Sequence, residues 1–364
     1  MKIAMIGQKG IPATYGGIER HVEEVGTRLA ARGHEVTVYC RYYYTRVKKN
    51  YRGVRLIRLP SIKTKHLDTA THCALSTLDA VLRGYDIVHF HALGPSLFSL
   101  LPRLAGAKTL VTIHGLDWQR EKWGPVASWI LKRCEYTAVS FPTRTVVVSR
   151  TLQDYFRDKY AVESTVIPNG TNIPTPRALS RLKKKGLESR KYILFVGRLV
   201  PEKGCHYLVD AYKKLETDAK LVIAGGSSFS SEYVESLKKH SSDKIILLDY
   251  VYGDELEELW SNALLVALPS TLEGLSISLL EALSYGKCVL VSDIAENLEV
   301  VEDCAPSFKS KDVEDLRSKL QMLLATPELL AKYEEKAREH ILKRFTWDGV
   351  TNSLEELYLE LLSK

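Results

Sequence analysis

The sequence predicts an α/β protein made of two Rossmann-like, doubly wound parallel-sheet domains in tandem. Three observations lead there. The chain is 364 residues long, more than one hydrophobic core usually serves, so two domains are expected. Short apolar runs alternate with helix-length segments, the pattern of repeated βαβ units. That alternation breaks at Pro168-Asn169-Gly170 and starts again at Tyr192.

Taken in order, Lys2–Ile6 is an apolar run that stops at Gly7, and a loop broken by glycine and proline follows to Gly17. A strand and then a loop are expected. Ile18–Arg32 carries Val22, Val25, Leu29 and Ala30 at helical spacing and closes at Gly33. Glu35–Cys40 follows, with Val36 and Val38 alternating as in a strand. Ile87–Phe90, Thr109–Ile113 and Thr145–Val148 extend the sheet, each separated from the next by a helix-length segment. Pro174, Pro176 and the cationic Arg181–Lys185 continue the interdomain linker. The second set of strands is Tyr192–Val196, Leu221–Ala224, Ile245–Leu248, Leu264–Leu268 and Cys288–Val291. After Thr346-Trp347-Asp348, Val350–Leu362 reads as an amphipathic helix with Leu354, Leu357 and Leu361 on one side. The expected domains are residues 1–173 and 174–345, with a terminal helix, 346–364, packing back on the first. Ligands of open parallel sheets lie outside the carboxyl ends of the strands. Two such sheets facing each other would hold one in the cleft between them.

Composition excludes several classes. Apolar residues at 45% and charged residues at 26% are globular values and leave no room for a disordered or fibrous chain. No apolar run approaches the roughly 18 to 20 residues that span a bilayer. Met1–Gly7 is too short for the apolar stretch of a signal peptide, and a cytoplasmic chain is expected. Cys40, Cys73, Cys134, Cys205, Cys288 and Cys304 are scattered, without the spacing of a zinc site or a disulfide framework. The net charge of +7 is unevenly spread: residues 1–173 hold 25 Lys and Arg against 13 Asp and Glu. Nine cations between Arg41 and Lys65 have no carboxylate among them, which asks for an anionic partner. Tyr42, Tyr43, Tyr44 and Tyr51 are interleaved with them, as at membrane interfaces or on single-stranded nucleic acid. A solvated loop and edge strand is the alternative.

The strongest chemical signal is the pair Glu273 and Glu281. The strand Leu264–Leu268 ends at Pro269, and Ser276–Tyr285 reads as a helix with Ser276 or Ser278 near its cap and Gly286 past its end. Five residues of helical rise put Glu281 about 7.5 Å beyond Ser276. A helix N-terminus attracts anions, so a diphosphate could lie at Leu275–Ser276. Glu281 could then reach a ribose diol while Glu273 accepts from sugar hydroxyls; surface carboxylates are the rival reading. Arg198 and Lys203 follow the strand Tyr192–Val196, where a cleft anion would lie, and no Asp-x-Asp occurs to hold a diphosphate through metal. Gly16-Gly17 precedes a helix and lets backbone amides approach a ligand closely. It is not a dinucleotide fingerprint, and a plain turn would explain it too. His114 follows a strand and should point into the cleft. His89 and His91 have a spacing that could hold metal, but no further ligand set is evident, and both read as structural. Asp117, Trp118 and Arg120 could orient an acceptor hydroxyl or stack on a sugar, with packing as an equal rival. Glu296-Asn297 could touch the donor base or second phosphate.

Glu273 and Glu281 with their flanks resemble the Glu-x7-Glu motif of family 4 glycosyltransferases, retaining enzymes of the GT-B fold that use nucleotide-activated sugars. Gly197-Arg198-Leu199-Val200-Pro201-Glu202-Lys203-Gly204 looks like that family's diphosphate clamp. The likeness includes the Gly16-Gly17 loop and spans nearly the whole chain. Gly7–Arg41 with His114-Gly115-Leu116-Asp117-Trp118 most resembles the bacterial cell-envelope branch, often labelled rhamnosyltransferases. One departure is Cys288, where the family usually has proline.

The resemblance implies a GT-B architecture whose domains face across a cleft. It implies His114, Arg198, Lys203 and Glu273 as the catalytic set, with His114 near the reacting carbon of the donor sugar. Gly16, Gly17, Gly197, Gly274, Leu275, Ser276 and Glu281 would bind the donor, and Asp117, Trp118 and Arg120 would stand on the acceptor side. Neither a cofactor nor a metal is implied, the co-substrate being a nucleotide-diphosphate sugar. A glycan or polyprenyl-phosphate-linked acceptor is expected, with peripheral placement on an anionic inner membrane face through Arg41–Lys65, and no nucleic acid. The alternatives are a nucleotide-sugar epimerase of the same fold and a noncatalytic membrane- or nucleic-acid-binding protein.

Overall fold

Parallel strands need cover on both faces, and the apolar runs answer that need: Ile3, Ala4, Met5 and Ile6 are all fully buried. The computed structural model describes residues 1–14, 16–227 and 231–364. It divides the chain into two units, Met1–Gly170 with Trp347–Lys364, and Thr171–Thr346.

Among the described residues, the first unit has an eight-stranded sheet. Its strands are β1 (Lys2–Ile6), β2 (Glu35–Arg41), β3 (Asn50–Tyr51), β4 (Val54–Leu59), β5 (Ile87–His91), β6 (Lys108–Ile113), β7 (Arg144–Val147) and β8 (Thr165–Val166). The order is β3-β4-β2-β1-β5-β6-β7-β8, parallel throughout except for the edge pair β3–β4. The second unit has six parallel strands: β9 (Tyr192–Val196), β10 (Lys220–Ala224), β11 (Ile245–Leu248), β12 (Leu265–Leu268), β13 (Val289–Ser292) and β14 (Ser307–Phe308), in the order β11-β10-β9-β12-β13-β14. The direction of winding reverses between β1 and β5 and again between β9 and β12. Those two positions are where such sheets open a crevice at their carboxyl ends.

The terminal helix runs Trp347–Ser363 and contributes Trp347, Val350, Leu354, Leu357, Tyr358 and Leu361 to the core of the first unit. It lies against the helix Gly17–Ala31. Arg28 bonds Asp348, Arg32 bonds Glu355 and Asn352, and His34 reaches Glu355 at 2.6 Å. A Cβ on Gly170 would stand 2.7 Å from the Trp347 amide nitrogen, so the chain leaves and re-enters this unit through one close crossing.

The cationic segment is less free than its composition suggests. Arg41 is 3% exposed and pairs with Asp68 at 3.0 Å, a carboxylate just outside the segment. The Arg58 guanidinium lies 4.2 Å from the Tyr42 ring centroid and donates to the Tyr42 carbonyl. Tyr51 donates to Glu23, and Tyr44 accepts from the Thr14 amide. Arg46, Lys48, Lys49, Arg52, Arg55, Lys63 and Lys65 remain exposed around the edge strands β3 and β4. Charge counting could not see this, because Asp68 and the tyrosine faces come from neighbours in the fold.

Trp347 is 2% exposed, so Trp347→Ala should lower the unfolding free energy by about 3 to 5 kcal/mol. Urea denaturation of the full chain measures it, and a loss below about 1 kcal/mol would show that this helix is not part of the first unit's core.

Candidate functional site

In the second unit, β9 and β12 pair in parallel, Leu265 on Ile193 and Val266 on Leu194. The loops that leave their carboxyl ends are therefore neighbours. Gly204, with φ of 67°, is the point of closest approach: a Cβ there would lie 1.9 Å from the Pro269 carbonyl oxygen. No other residue fits without moving backbone. Beside it the Thr271 amide donates to the Glu202 carbonyl at 2.9 Å. This stitching delivers the Lys203 ammonium to the Glu273 carboxylate, whose side chains are 16% and 8% exposed. Arg198 stands half-buried on the same loop as Lys203. Gly197 is pressed from the other side, since a Cβ on Gly225, in the loop after β10, would fall 1.8 Å from the Gly197 carbonyl oxygen.

Gly274 and Leu275 are buried in the approach to the helix Ile277–Ser284, and Ser276 caps it by accepting from the Leu279 amide. Gly286, with φ of 65°, ends it. Glu281 sits half-buried inside this helix, close enough to Tyr285 that, after burial and Glu257, its charge helps push the phenol's pKa up. Glu296 begins the helix after β13; burial first, and then the Glu273 carboxylate, raises its pKa. Asn297 is committed elsewhere, donating to the Ser292 carbonyl and hydroxyl. The pattern Arg198, Lys203, Glu273, Gly274, Leu275, Ser276 and Glu281 thus gathers at the winding reversal of one sheet. Lys203 is half of a shielded ion pair with Glu273, because the two loops abut.

In the first unit, Gly7 allows the loop after β1 to lie on β5, where a Cβ would come 2.4 Å from the His91 carbonyl oxygen. Glu19 and Glu23, from the helix Gly17–Ala31, accept from the amides of Lys9 and Ala13 and hold this loop down. Gly16, with φ of 102°, has Glu19 so close that a Cβ would meet its carboxylate at 2.0 Å; Gly17 is exposed at the helix start. His91 ends β5, His114 follows β6, and His21 comes from the helix, so three rings converge. Their centroids are 5.0 Å apart for His21 and His114, 5.5 Å for His91 and His114, and 5.6 Å for His21 and His91. One nitrogen from each lies within 4.8 Å of the others. The sequence read His89 and His91 as structural for want of a further ligand set; the structure places His21 and His114 beside His91. His89 has both ring nitrogens engaged, with the Tyr358 hydroxyl and the Thr112 hydroxyl, each at 2.7 Å. Nothing in the local sequence marks His21, which sits among ordinary helix residues 93 positions before His114.

Burial keeps these rings neutral. It lowers the pKa of His21 to about 4, against a smaller opposing effect of its bond to Asn169, and that of His89 to about 3. His91 and His114 are pushed well below their ordinary value by burial and by neighbouring histidines.

Asp117 and Arg120 pair with each other at 3.1 Å. The Trp118 indole donates to Glu135, a fully buried carboxylate that also accepts from Tyr155, Lys159 and Tyr160, and Lys132 lies 4.9 Å from the Trp118 ring centroid. These contacts give Trp118 a packing role beside the acceptor role expected of it. Glu135 carried no sequence signal because its four partners lie up to 25 residues away.

Comparison with known proteins fits this geometry. Residues 15–173 match the model for Glycosyltransferase Family 4, and residues 180–340 the model for Glycosyl transferases group 1. The chain is 27% identical to the alpha-maltose-1-phosphate synthase of Mycobacterium tuberculosis, over 98% of this chain and 99% of that protein. Among solved structures it is similar to a sucrose-phosphate synthase of Thermosynechococcus elongatus, with a TM-score of 0.86, 22% identity and 99% of both chains covered. It is also similar to Anabaena HepE in complex with UDP-glucose, with a TM-score of 0.82, 18% identity, and 99% of this chain and 100% of that one covered. Two parallel-sheet α/β units in this order make the fold GT-B, and the protein is a glycosyltransferase. With one model matched in each half, the chain belongs to the GT4-type glycosyltransferases.

The histidine cluster has a consequence for stability. His21 binds a proton only near pH 4 when folded but at 6.5 when free, so between those values the unfolded chain holds more protons. Stability from this group is complete above pH 6.5 and falls as pH drops toward 4. The urea midpoint should therefore decline between about pH 7 and pH 5, and decline less steeply in His21→Asn. Equal slopes for both proteins would place the protonation elsewhere.

Proposed function

We propose that the protein is a metal-independent, retaining glycosyltransferase that moves a sugar from a nucleotide-diphosphate sugar to a hydroxyl of a glycan or polyprenyl-phosphate-linked acceptor in envelope polysaccharide synthesis. The observation that carries this reading is the abutment of the Gly197–Gly204 loop with the Pro269–Ser276 loop, which sets two cations, two carboxylates and a capped helix start at one sheet edge. Supporting it is the UDP-glucose bound by HepE; the envelope branch rests on the sequence resemblance of Gly7–Arg41 with His114-Gly115-Leu116-Asp117-Trp118 to rhamnosyltransferase-type enzymes. As the bond from the sugar carbon to the diphosphate breaks, roughly two to three negative charges must be stabilised on the leaving group. Arg198 offers a planar fork and Lys203 a point charge, with the amides at Leu275–Ser276 beside them. Glu273 holds Lys203 in place and accepts from sugar hydroxyls, and Glu281 accepts from the ribose diol. Neutral His114 can contact the sugar near the reacting carbon without adding charge. The acceptor oxygen attacks from the face that the diphosphate leaves, and the departing oxygen takes the acceptor's proton. This retains configuration with no covalent enzyme intermediate.

Glu281→Ala should weaken binding of the nucleoside diphosphate by roughly 1.5 to 3 kcal/mol, since a charged hydrogen-bond acceptor is lost. Calorimetric titration measures this, and unchanged affinity would remove Glu281 from the ribose site. Arg198→Ala and Lys203→Ala should depress turnover more than donor binding, because the charge they meet grows in the transition state. EDTA should leave turnover intact, and a strict need for divalent metal would defeat the metal-free clamp.

The exposed cations around β3 and β4 support peripheral binding to anionic membrane. Each engaged Lys or Arg contributes about 1 kcal/mol near such a surface. Flotation with vesicles should show salt-sensitive binding to anionic but not neutral lipid, lost when Arg46, Lys48, Lys49 and Arg52 become Ser. Absence of binding at about 0.1 M salt, where screening acts over roughly 10 Å, would discard the membrane partner.

A further inference from the structure

From the convergence of His21, His91 and His114, and from the unpartnered ring nitrogens among them, we propose that these residues form a site for a divalent transition metal of the zinc class. The ion would have three protein ligands and an open fourth position. This goes beyond the transfer reaction proposed above, which calls for no metal.

The ring of His21 comes prepared as a ligand. Its Nδ1 lies 3.0 Å from the Asn169 side-chain oxygen, an atom that can only accept, so Nδ1 must carry the hydrogen. In a neutral imidazole the other nitrogen is then a bare lone pair. That Nε2 is buried and has no hydrogen-bond partner among the described residues, and the same is true of Nε2 of His91. The two residues are 2% and 0% exposed. Leaving such groups unsatisfied costs stability unless something occupies the space. The remaining nitrogen of His91 meets Nε2 of His114 at 3.2 Å, a hydrogen bond that occupies one lone pair and must give way before both rings can ligate the same ion. Histidines that bind metal commonly donate their second nitrogen to a fixed acceptor, and Asn169 plays that part for His21.

The donor set selects the ion. Three imidazoles without a carboxylate suit zinc, cobalt or copper and offer little to magnesium or calcium. Zinc–nitrogen bonds of about 2.0 to 2.1 Å in a tetrahedral site put the nitrogens about 3.4 Å apart. The present separations, up to 4.8 Å, would close by ring rotation when an ion enters. His89 does not take part, since both its nitrogens are already engaged. Occupancy would hold His114 on the metal and away from a sugar, so the ion acts as an inhibitor. That consequence rests on the role given to His114 in transfer; the binding itself does not.

The test uses the full chain, stripped of metal, without donor or acceptor. Titration with Co2+ in competition with a chromophoric chelator should give one ion per chain and visible bands of a tetrahedral nitrogen-ligated ion. Zn2+ should displace it and Mg2+ should not. His91→Gln and Asn169→Ala, checked for folding by circular dichroism, should weaken binding about ten- to a hundredfold. Should either variant fail to fold, the wild-type cobalt spectrum still decides, because ligation by the buried cysteines would show thiolate charge-transfer bands instead. Such bands, equal affinity in wild type and folded variants, or no binding at micromolar metal would each overturn the site. Zn2+ should also slow transfer reversibly. Binding without inhibition would keep the metal site and count only against the role of His114 in transfer.

Discussion

The two-pair ladder between β9 and β12 is the interaction on which the candidate donor site depends. It aligns the ends of two strands by pairing residues 72 positions apart in sequence, Ile193 with Leu265 and Leu194 with Val266. Everything chemical in this unit hangs from loops that leave that edge. Gly204 against the Pro269 carbonyl, and the Thr271 amide on the Glu202 carbonyl, convert a shared sheet edge into a fixed distance between Lys203 and Glu273. A parallel sheet suits this purpose because its strands all end on the same side.

The first unit uses the same geometry with different side chains. β1, β5 and β6 are consecutive in the sheet, so the loop after β1, His91 and His114 are brought together at its carboxyl edge. The helix Gly17–Ala31 then adds His21, and the returning helix Trp347–Ser363 adds Tyr358 to His89. Four neutral imidazoles in one core cost desolvation for any charge they acquire, which is why their protonation is pushed to acid pH.

Charge was the least transferable of the sequence signals. The nine cations of Arg41–Lys65 look uniform on paper, yet Arg41 is closed off by Asp68 and Arg58 covers Tyr42. Lys203 is shielded by Glu273, a carboxylate 70 positions along the chain. A net charge describes what a segment contains, and only packing decides which charges a partner can reach.

The sequence by itself determined the local elements. Apolar runs gave ten of the strands to within a residue, though not β4, whose apolar positions are interrupted by Arg55 and Arg58; Ser276 and Gly286 gave both ends of the helix that carries Glu281, because caps and periodicity are written in neighbouring residues. The pair Glu273 and Glu281 was legible for the same reason. Edge strands of two residues, such as β3 and β14, were not, since too few side chains mark them. His21, Asn169 and Glu135 were silent as well. Their surroundings come from strands and helices far along the chain, and no spacing records a contact across 148 positions such as His21 to Asn169. Tertiary structure alone decided which histidines meet, which lysine is paired and which arginine is buried, because each follows from strand order and close backbone approach rather than from any local run of residues.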